Sequence, residues 1–426
     1  MVRIRKKYQP LYTSNKRYFI LTGGRGSGKT FAVQDFLVRL LEQVGQGILY
    51  TRYTMTKVES TIMPLFKAYI ASITNINKYH ITRTKIINKK TGAFILFSGI
   101  KTNSGDQTGN LKSLPNITTW VVEEGEDFNK ENTFDDIDDS IRSKDLQNRI
   151  IWIQNPTTRE HFIYQRFFEK NHELVSIQKG GTYIDENGQN KKFTYQRSTH
   201  PDVEHIHTTY YDNIENINKV KVSKWEEVKK KNPTKWGHKY GGAWLDKAEG
   251  VIFENWEEGE FDHSLPYGYG QDYGFSTDPT TLIKVAVNTK RKIVYLHEEF
   301  YATTLNGKQM GTDDIYDINI SRIYNSMDLI VADSQEGRTI LDLRKKGLNI
   351  KECIKGPGSV KAGILALLDY RIIVTPESGN IKKELNNYCW SDKKAGIPID
   401  EYNHAMDAIR YIFKQLLTGG NPYILL

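Results

Sequence analysis

Residues Gly23 to Thr30 read GGRGSGKT and fit the pattern G-x-x-x-x-G-K-[ST] at Gly23, Gly28, Lys29 and Thr30. A loop of this kind binds phosphate. Its glycines let backbone N–H groups close around phosphate oxygens, its lysine reaches the β- and γ-phosphates, and its hydroxyl faces Mg²⁺. Gly23, Gly24, Arg25, Gly26, Ser27, Gly28, Lys29 and Thr30 therefore form a candidate nucleotide cradle. Arg25 either adds a second cation near the γ-phosphate or sits in a surface ion pair. Binding alone does not hydrolyse, so an acid that orients the metal and a group that polarises water are also needed. The run TTWVVEE supplies both: Glu123 is the candidate for the hydrated Mg²⁺ and Glu124 for the attacking water. Gln154 and Asn155 end the run RIIWIQNP and are candidate sensors of the γ-phosphate; Gln9 is a candidate adenine contact.

A second chemistry is written in three separated aspartates. Asp272 follows an apolar run in GQDYG, Asp333 ends LIVAD, and Asp407 stands in NHAMDAIRY three residues after His404, on the same helical side. Hard carboxylate oxygens hold Mg²⁺ or Mn²⁺, and two such ions activate water and stabilise the leaving oxygen of a phosphodiester. A lone aspartate at a strand end is more often a cap or turn residue; three in this order point to a nuclease site. Glu298 and Glu299 are either further ligands or a solvated face. Lys361 is either a contact to the scissile phosphate or plain surface. His200, His205 and His207 lie close together, but no cysteine is near, and they read as a strand with polar flanks rather than a zinc site.

These residues need elements to hold them. RYFILTG, GILYTR, GAFILFSG, TTWVVEE and RIIWIQNP are strand-like runs, and TFAVQDFLVRLLEQV has helical spacing. Strands alternating with helices predict a mostly parallel α/β sheet over residues 1–212. Residues 213–240 are polar, with Lys229, Lys230 and Lys231 in a row, and predict a partly helical connection. Residues 241–426 begin again with three antiparallel strands, YGQDYGF, TTLIKVAVN and KIVYLHEEFY. A buried strand, SMDLIVADS, a helix closed by Gly347 and further short strands follow, and an amphipathic helix ends the series.

Composition narrows the class. Hydrophobic residues at 38% and charged residues at 26% predict a globular chain. The net charge of +8 permits a polyanionic partner without demanding one. Two cysteines exclude a disulfide framework and predict a reducing compartment. The basic start MVRIRKKYQP has no apolar segment behind it, and no run approaches a membrane span.

The order GGRGSGKT, TWVVEEGED, QNP, TTYYDN, GQDYG, VADS and NHAMDAIRY resembles the large terminase subunits of tailed bacteriophages from end to end. The resemblance implies an N-terminal P-loop ATPase of the ASCE type and a C-terminal RNase H-like α/β nuclease. It implies ATP with Mg²⁺ at Lys29, Thr30, Glu123 and Glu124, and two divalent ions, Mg²⁺ or Mn²⁺, at Asp272, Asp333 and Asp407 beside His404. Many relatives carry Asp where Glu123 stands. The implied task is ATP-driven movement of double-stranded DNA through a portal protein into a procapsid, with cuts that start and end packaging. A terminase small subunit and a homo-oligomeric ring on the portal are implied partners, with a monomer in solution and no membrane. The implied place is the host cytoplasm, docked transiently on the procapsid and outside the mature virion. A P-loop helicase or repair ATPase without nuclease activity, and a DNA-binding scaffold with a relic nucleotide site, are the competing readings.

Overall fold

A computed structural model describes residues 6–417, apart from 55–61, 103–104, 107–110, 112–113, 186–187, 249, 275–277 and 392–395. It divides into two units, 1–246 and 247–426.

The main sheet of the first unit holds β1 (Tyr18–Gly23), β2 (Gly47–Thr54), β3 (Tyr79–Ile81), β4 (Lys85–Asn88), β5 (Phe94–Thr102), β6 (Thr119–Glu123), β7 (Arg149–Ile153) and β8 (Val203–Thr208). They lie in the order β8-β1-β7-β6-β2-β5-β4-β3, with the short Gly105–Asp106 on β5. The stretch from β8 to β5 is parallel; β4 and β3 close it in antiparallel fashion. β1 and β6 are continuous apolar runs because helices cover both faces of a parallel sheet. One strand, β7, separates the loop-bearing β1 from the acid-bearing β6, which is the additional-strand arrangement.

Helix α1 (Lys29–Leu40) starts directly out of the glycine loop. Gly23, Gly26 and Gly28 have φ of 146°, 77° and 88°. A Cβ on Gly23 would lie 1.8 Å from the Thr208 carbonyl oxygen, so glycine is needed for approach as well as for φ.

Residues 213–240 are not a connection. They form α2 (Lys219–Lys231) and α3 (Pro233–Lys239) and belong to the first unit. Asn218 caps α2, and Asn232 ends α2 and caps α3. Trp236 is fully buried in an aromatic cluster with Tyr210, Phe193 and Tyr240. Lys230 and Lys231 carry the polar face, but Lys229 lies 4.8 Å over the Trp236 ring. The polar surface concealed a few large aromatic anchors, which are enough to fold the segment onto its unit.

In the second unit the strands are β9 (Trp256–Glu258), β10 (Tyr267–Asp272), β11 (Thr280–Asn288), β12 (Ile293–Ala302), β13 (Ile330–Ala332), β14 (Ile350–Glu352) and β15 (Arg371–Val374). Their order is β9-β15-β12-β11-β10-β13-β14. β10, β11 and β12 are antiparallel, as their alternation predicts, and β13 joins β10 in parallel. This is the RNase H-like core. The helices α4 (Thr312–Arg322), α5 (Gly337–Lys345), α6 (Ser359–Leu368), α7 (Gly379–Asn387) and α8 (His404–Leu417) complete it. The α8 backbone meets β10 where that strand lacks side chains: a Cβ on Gly270 would lie 1.9 Å from the Ala408 carbonyl oxygen. Among the described residues no helix is long and apolar enough to cross a membrane.

Gly270→Ala should destabilise the second unit by about 1–3 kcal/mol through overpacking against α8. Denaturant unfolding of the full chain checks this; an unchanged transition would mean that α8 does not press on β10.

Candidate active sites

The phosphate loop lines a cavity of about 510 Å³ with Lys29, Thr30, Gln34, Arg52, Glu123, Glu124, Glu126, Gln154 and Asn155. Gly24, Arg25, Gly26, Ser27 and Gly28 lie on the same wall, with Arg25 exposed. Lys29 is buried. Its Nζ donates to the carbonyl oxygens of Gly23 (2.8 Å) and Gly24 (3.2 Å), to Ser27 Oγ (3.3 Å) and to Asn155 Oδ1 (3.1 Å). Burial pushes this ammonium down to about 8, against the opposing pull of Glu126. Glu126 in turn fixes Asn155, accepting from its Nδ2 at 2.7 Å and its backbone N at 3.2 Å. Glu126 is the residue that pattern reading missed. Its signal was a third carboxylate just beyond the strand end, in EEGED.

The acids stand as their strand predicts, but with a partner the motif did not name. Arg52, at the end of β2, donates to Glu123 at 2.8 Å and pairs with Glu124 at 3.4 Å. Register explains it: Thr51 opposes Val122, so Arg52 falls beside Glu123. Glu123 is buried, whereas Glu124 is exposed in a left-handed turn at φ 54°. Burial raises the Glu124 carboxyl and Arg52 opposes that rise.

Two amide nitrogens test whether a polyphosphate fits. Gln34 Nε2 and Gln154 Nε2 are buried on the cavity wall with no hydrogen-bond partner among the described residues. Trp152 Nε1 donates to Gln154 Oε1 at 2.6 Å, which leaves the NH₂ end as a donor. Buried donors of this kind suit an anionic ligand rich in acceptors. Gln9 does not line the cavity; it is exposed at the head of a short helical turn. Its neighbour Tyr8 is the residue tied to the loop, donating to the Ser27 carbonyl oxygen at 3.1 Å.

Below the loop, His205 and His207 share Thr22. Its Oγ1 lies 2.7 Å from His205 Nε2 and 2.9 Å from His207 Nδ1, and His207 Nε2 donates to the Gly241 carbonyl oxygen. Burial drives both imidazoles far down, His205 to about 3, and all four ring nitrogens are engaged, by Thr22, Ser198 N and the Gly241 carbonyl, so the pair are neutral struts with no nitrogen left for a metal. His200 stands apart, against Phe167.

In the second unit Asp272 ends β10, Asp333 follows β13, and Asp407 and His404 share the first turn of α8. His404 Nδ1 lies 3.3 Å from Asp272 Oδ2. Burial, then the fields of Asp407 and Asp333, push Asp272 up to about 6 despite His404. The other two carboxylates have cations: Lys355 Nζ is 2.6 Å from Asp333 Oδ1, and Arg410 pairs with Asp407. Tyr411 also donates to Asp333 at 3.3 Å. Among the described residues no three His, Cys, Asp or Glu side chains converge as a ready-made metal cage. The donor chemistry suits a hard divalent ion nonetheless, since the donors are carboxylate oxygens and Asp407 and Asp333 act on Asp272 through one field.

Glu298 and Glu299 are not part of this group. Glu298 accepts from Asn380 N, Asn380 Nδ2 and Ile381 N and so caps α7. Glu299 is raised chiefly by burial. Lys361 points its ammonium toward Gly396. Glu384, unforeseen, is buried and accepts from Ala405 N (3.0 Å) and Met406 N (2.9 Å), anchoring the first turn of α8 that carries His404 and Asp407.

Two pH dependences follow from these groups. Lys29 is charged below about 8 and neutral above it. Nucleoside triphosphate affinity should therefore fall about tenfold per pH unit above 8, with proton uptake on binding. Calorimetry in buffers of different ionisation enthalpy reads that uptake, and its absence would contradict a buried, depressed Lys29. Burial pushes Glu384 up to about 7. Its raised value favours folding below the ordinary carboxyl range, and that contribution is lost as pH rises through 7. Glu384→Gln should flatten the fall in melting temperature between about pH 4.5 and 7.5; an unchanged profile would count against it.

Comparison with known proteins bears on both units. Residues 15–243 match the family described as phage terminase large subunit, and residues 272–415 match the terminase RNAseH like domain. The chain is 26% identical to the large terminase subunit of Bacillus phage SPP1, covering 98% of each protein. It is 22% identical to the PBSX phage terminase large subunit of Bacillus subtilis (strain 168), covering 94% of this chain and 91% of the relative. Among solved structures, the large terminase of a thermophilic bacteriophage aligns over 98% of this chain and 100% of its own, at 18% identity and TM-score 0.44.

Proposed function

This chain belongs to the phage terminase large-subunit family, and from that premise we propose that it hydrolyses ATP to drive double-stranded DNA into a procapsid and cuts that DNA with a metal-dependent endonuclease. The observation that carries the reading is the presence of two chemically distinct strand-end sites on one chain. One is the Lys29–Asn155–Glu126 cradle with Glu123 and Glu124; the other is Asp272, Asp333 and Asp407 with His404.

At the first site Lys29 and the free amides of Gln34 and Gln154 bind the polyphosphate, and Arg25 adds charge at the rim. Thr30 and Glu123 are the residues that would hold Mg²⁺ with the nucleotide. Glu124, exposed at the cavity wall, orients the attacking water, while Arg52 keeps the adjacent carboxylates from repelling one another. Asn155, gripped by Glu126, registers the γ-phosphate through Lys29.

At the second site Asp272, Asp333 and Asp407 would hold two divalent ions, Mg²⁺ or Mn²⁺, which supply Lewis acidity and an activated water when bound. His404 orients Asp272. Lys355 and Arg410 supply counter-charge to Asp333 and Asp407. The partners in this reading are double-stranded DNA, the portal protein, a small subunit and further copies of the chain in a ring on the portal. The setting is the host cytoplasm, with transient docking on the procapsid.

The test is a double dissociation. Lys29→Ala should abolish ATP hydrolysis and leave metal-dependent cleavage of supercoiled plasmid intact; Asp333→Ala should do the reverse. Retained ATPase activity in the first variant would remove the nucleotide assignment. Retained cutting in the second would remove the nuclease assignment and favour a DNA-linked ATPase.

A further inference from the structure

A groove of about 330 Å³ runs beside the aspartates of the second unit, between α6 and α8. Asp407 is one of its lining residues, and Lys355, another, is the cation on Asp333. One end is the turn Gly356-Pro357-Gly358-Ser359, which leads into α6. Gly358 has φ 77° and stands as the N-cap with no side-chain cap; Ser359 N is taken by the Gly356 carbonyl and Ala362 N by that of Gly358, which leaves the N–H groups of Val360 and Lys361 in the first turn of this ten-residue helix without a helical acceptor. A Cβ on Gly356 or Gly358 would meet nothing within 4 Å, so the turn is open to an incoming group.

A second observation points to the same ligand. Arg410 is only 7% exposed, yet its Nε is buried without a partner among the described residues where the side chain lines the groove. Its terminal nitrogen holds Asp407, while the Nε–H is left without an acceptor. Lys414 follows one turn later on α8 and lines the groove too. Three cations line the groove; Lys355 is paired with Asp333 and Arg410 with Asp407, so Lys414 is the one left for a ligand there, next to an uncapped helix N-terminus. The exposed side chains of Val360 and Ile354 give the groove an apolar side on which a deoxyribose can rest, and its volume is at the lower end for a small-ligand site.

We propose that this groove is a subsite for a backbone phosphate of DNA and its sugar, adjacent to the scissile phosphodiester. The turn and Lys414 grip the non-reacting phosphate, Arg410 bridges it to Asp407, and the strand is thereby placed in register with the three aspartates. The inference rests on the nuclease reading for its purpose but not for its measurement.

The test uses the full chain carrying Lys29→Ala, so that the nucleotide site is silent. Affinity for a fluorescent duplex is measured by anisotropy in EDTA across a salt series. Ser359→Glu puts a carboxylate in the turn at a position where glutamate suits a helix start, and Lys414→Gln removes an exposed charge, so both should fold. Each should weaken DNA binding about tenfold, and Lys414→Gln should lower the salt slope by about one. In plasmid cleavage both should raise KM more than they lower kcat. A free nucleotide offered as competitor should displace DNA poorly, because one phosphate is only part of the strand's grip; efficient displacement would overturn the assignment to DNA. Unchanged affinity and salt slope in both variants would overturn the groove, even if plasmid cutting stays intact. Weakened binding in a protein whose parent cuts no DNA with Mg²⁺ or Mn²⁺ would support the groove and remove the nuclease reading.

Discussion

Charge neutralisation at the ends of buried strands is the constraint on which both units depend. A carboxylate or ammonium taken out of water needs a partner of opposite charge or a set of hydrogen bonds, or it gives up its charge. The chain meets this demand locally each time. Arg52 serves Glu123 and Glu124, Asn155 links Lys29 to Glu126, Lys355 holds Asp333, and Arg410 holds Asp407. Asp272 has a neighbouring imidazole in place of a lysine or arginine, and it is the carboxyl that burial and its fellow aspartates push up to about 6. Among the described residues, side chains that line both cavities carry buried polar atoms without a partner: the amide nitrogens of Gln34 and Gln154 in one unit, and the Arg410 Nε in the other.

The scaffolds that bring these groups together rely on close backbone approach. The phosphate loop is pressed between strands and helices. Gly23 meets Thr208, Gly24 meets Tyr240, and Asn213 donates to the Gly26 carbonyl oxygen at 2.9 Å. The segment 208–242 therefore backs the phosphate loop, and its Asn213 reaches the cavity itself. The second unit repeats the device with Gly270 beneath α8, whose first turn is held by Glu384. In both units the absence of a Cβ sets the distance between the elements that carry the reactive side chains.

Much of this was legible in the residues. The phosphate loop, the paired glutamates and the strand-end aspartates are local signals, carried by a few types at fixed spacing. The central strands were equally plain, because parallel strands buried on both faces must be continuous apolar runs. What escaped was pairwise and long-range. Arg52 acts on Glu123 across a strand register, Glu126 acts through Asn155, and Glu384 anchors a helix that begins well downstream at His404. Nothing in a local window marks such partners. Residues 213–240 escaped for a different reason: a polar surface reads as a connection unless the few buried aromatics, Trp236 above all, are given more weight than the lysines around them.

The proposal that Asp272, Asp333 and Asp407, balanced here by His404, Lys355 and Arg410, take a divalent ion together carries the most weight for function. Its most direct test is Mn²⁺ binding to the full chain, followed by electron paramagnetic resonance without nucleotide, with wild type compared with Asp272→Asn. The account predicts saturable binding in the wild type that is lost or strongly weakened in the variant, with folding unchanged. Equal Mn²⁺ binding by both proteins would contradict it, and the aspartates would then be structural partners of their neighbouring cations alone.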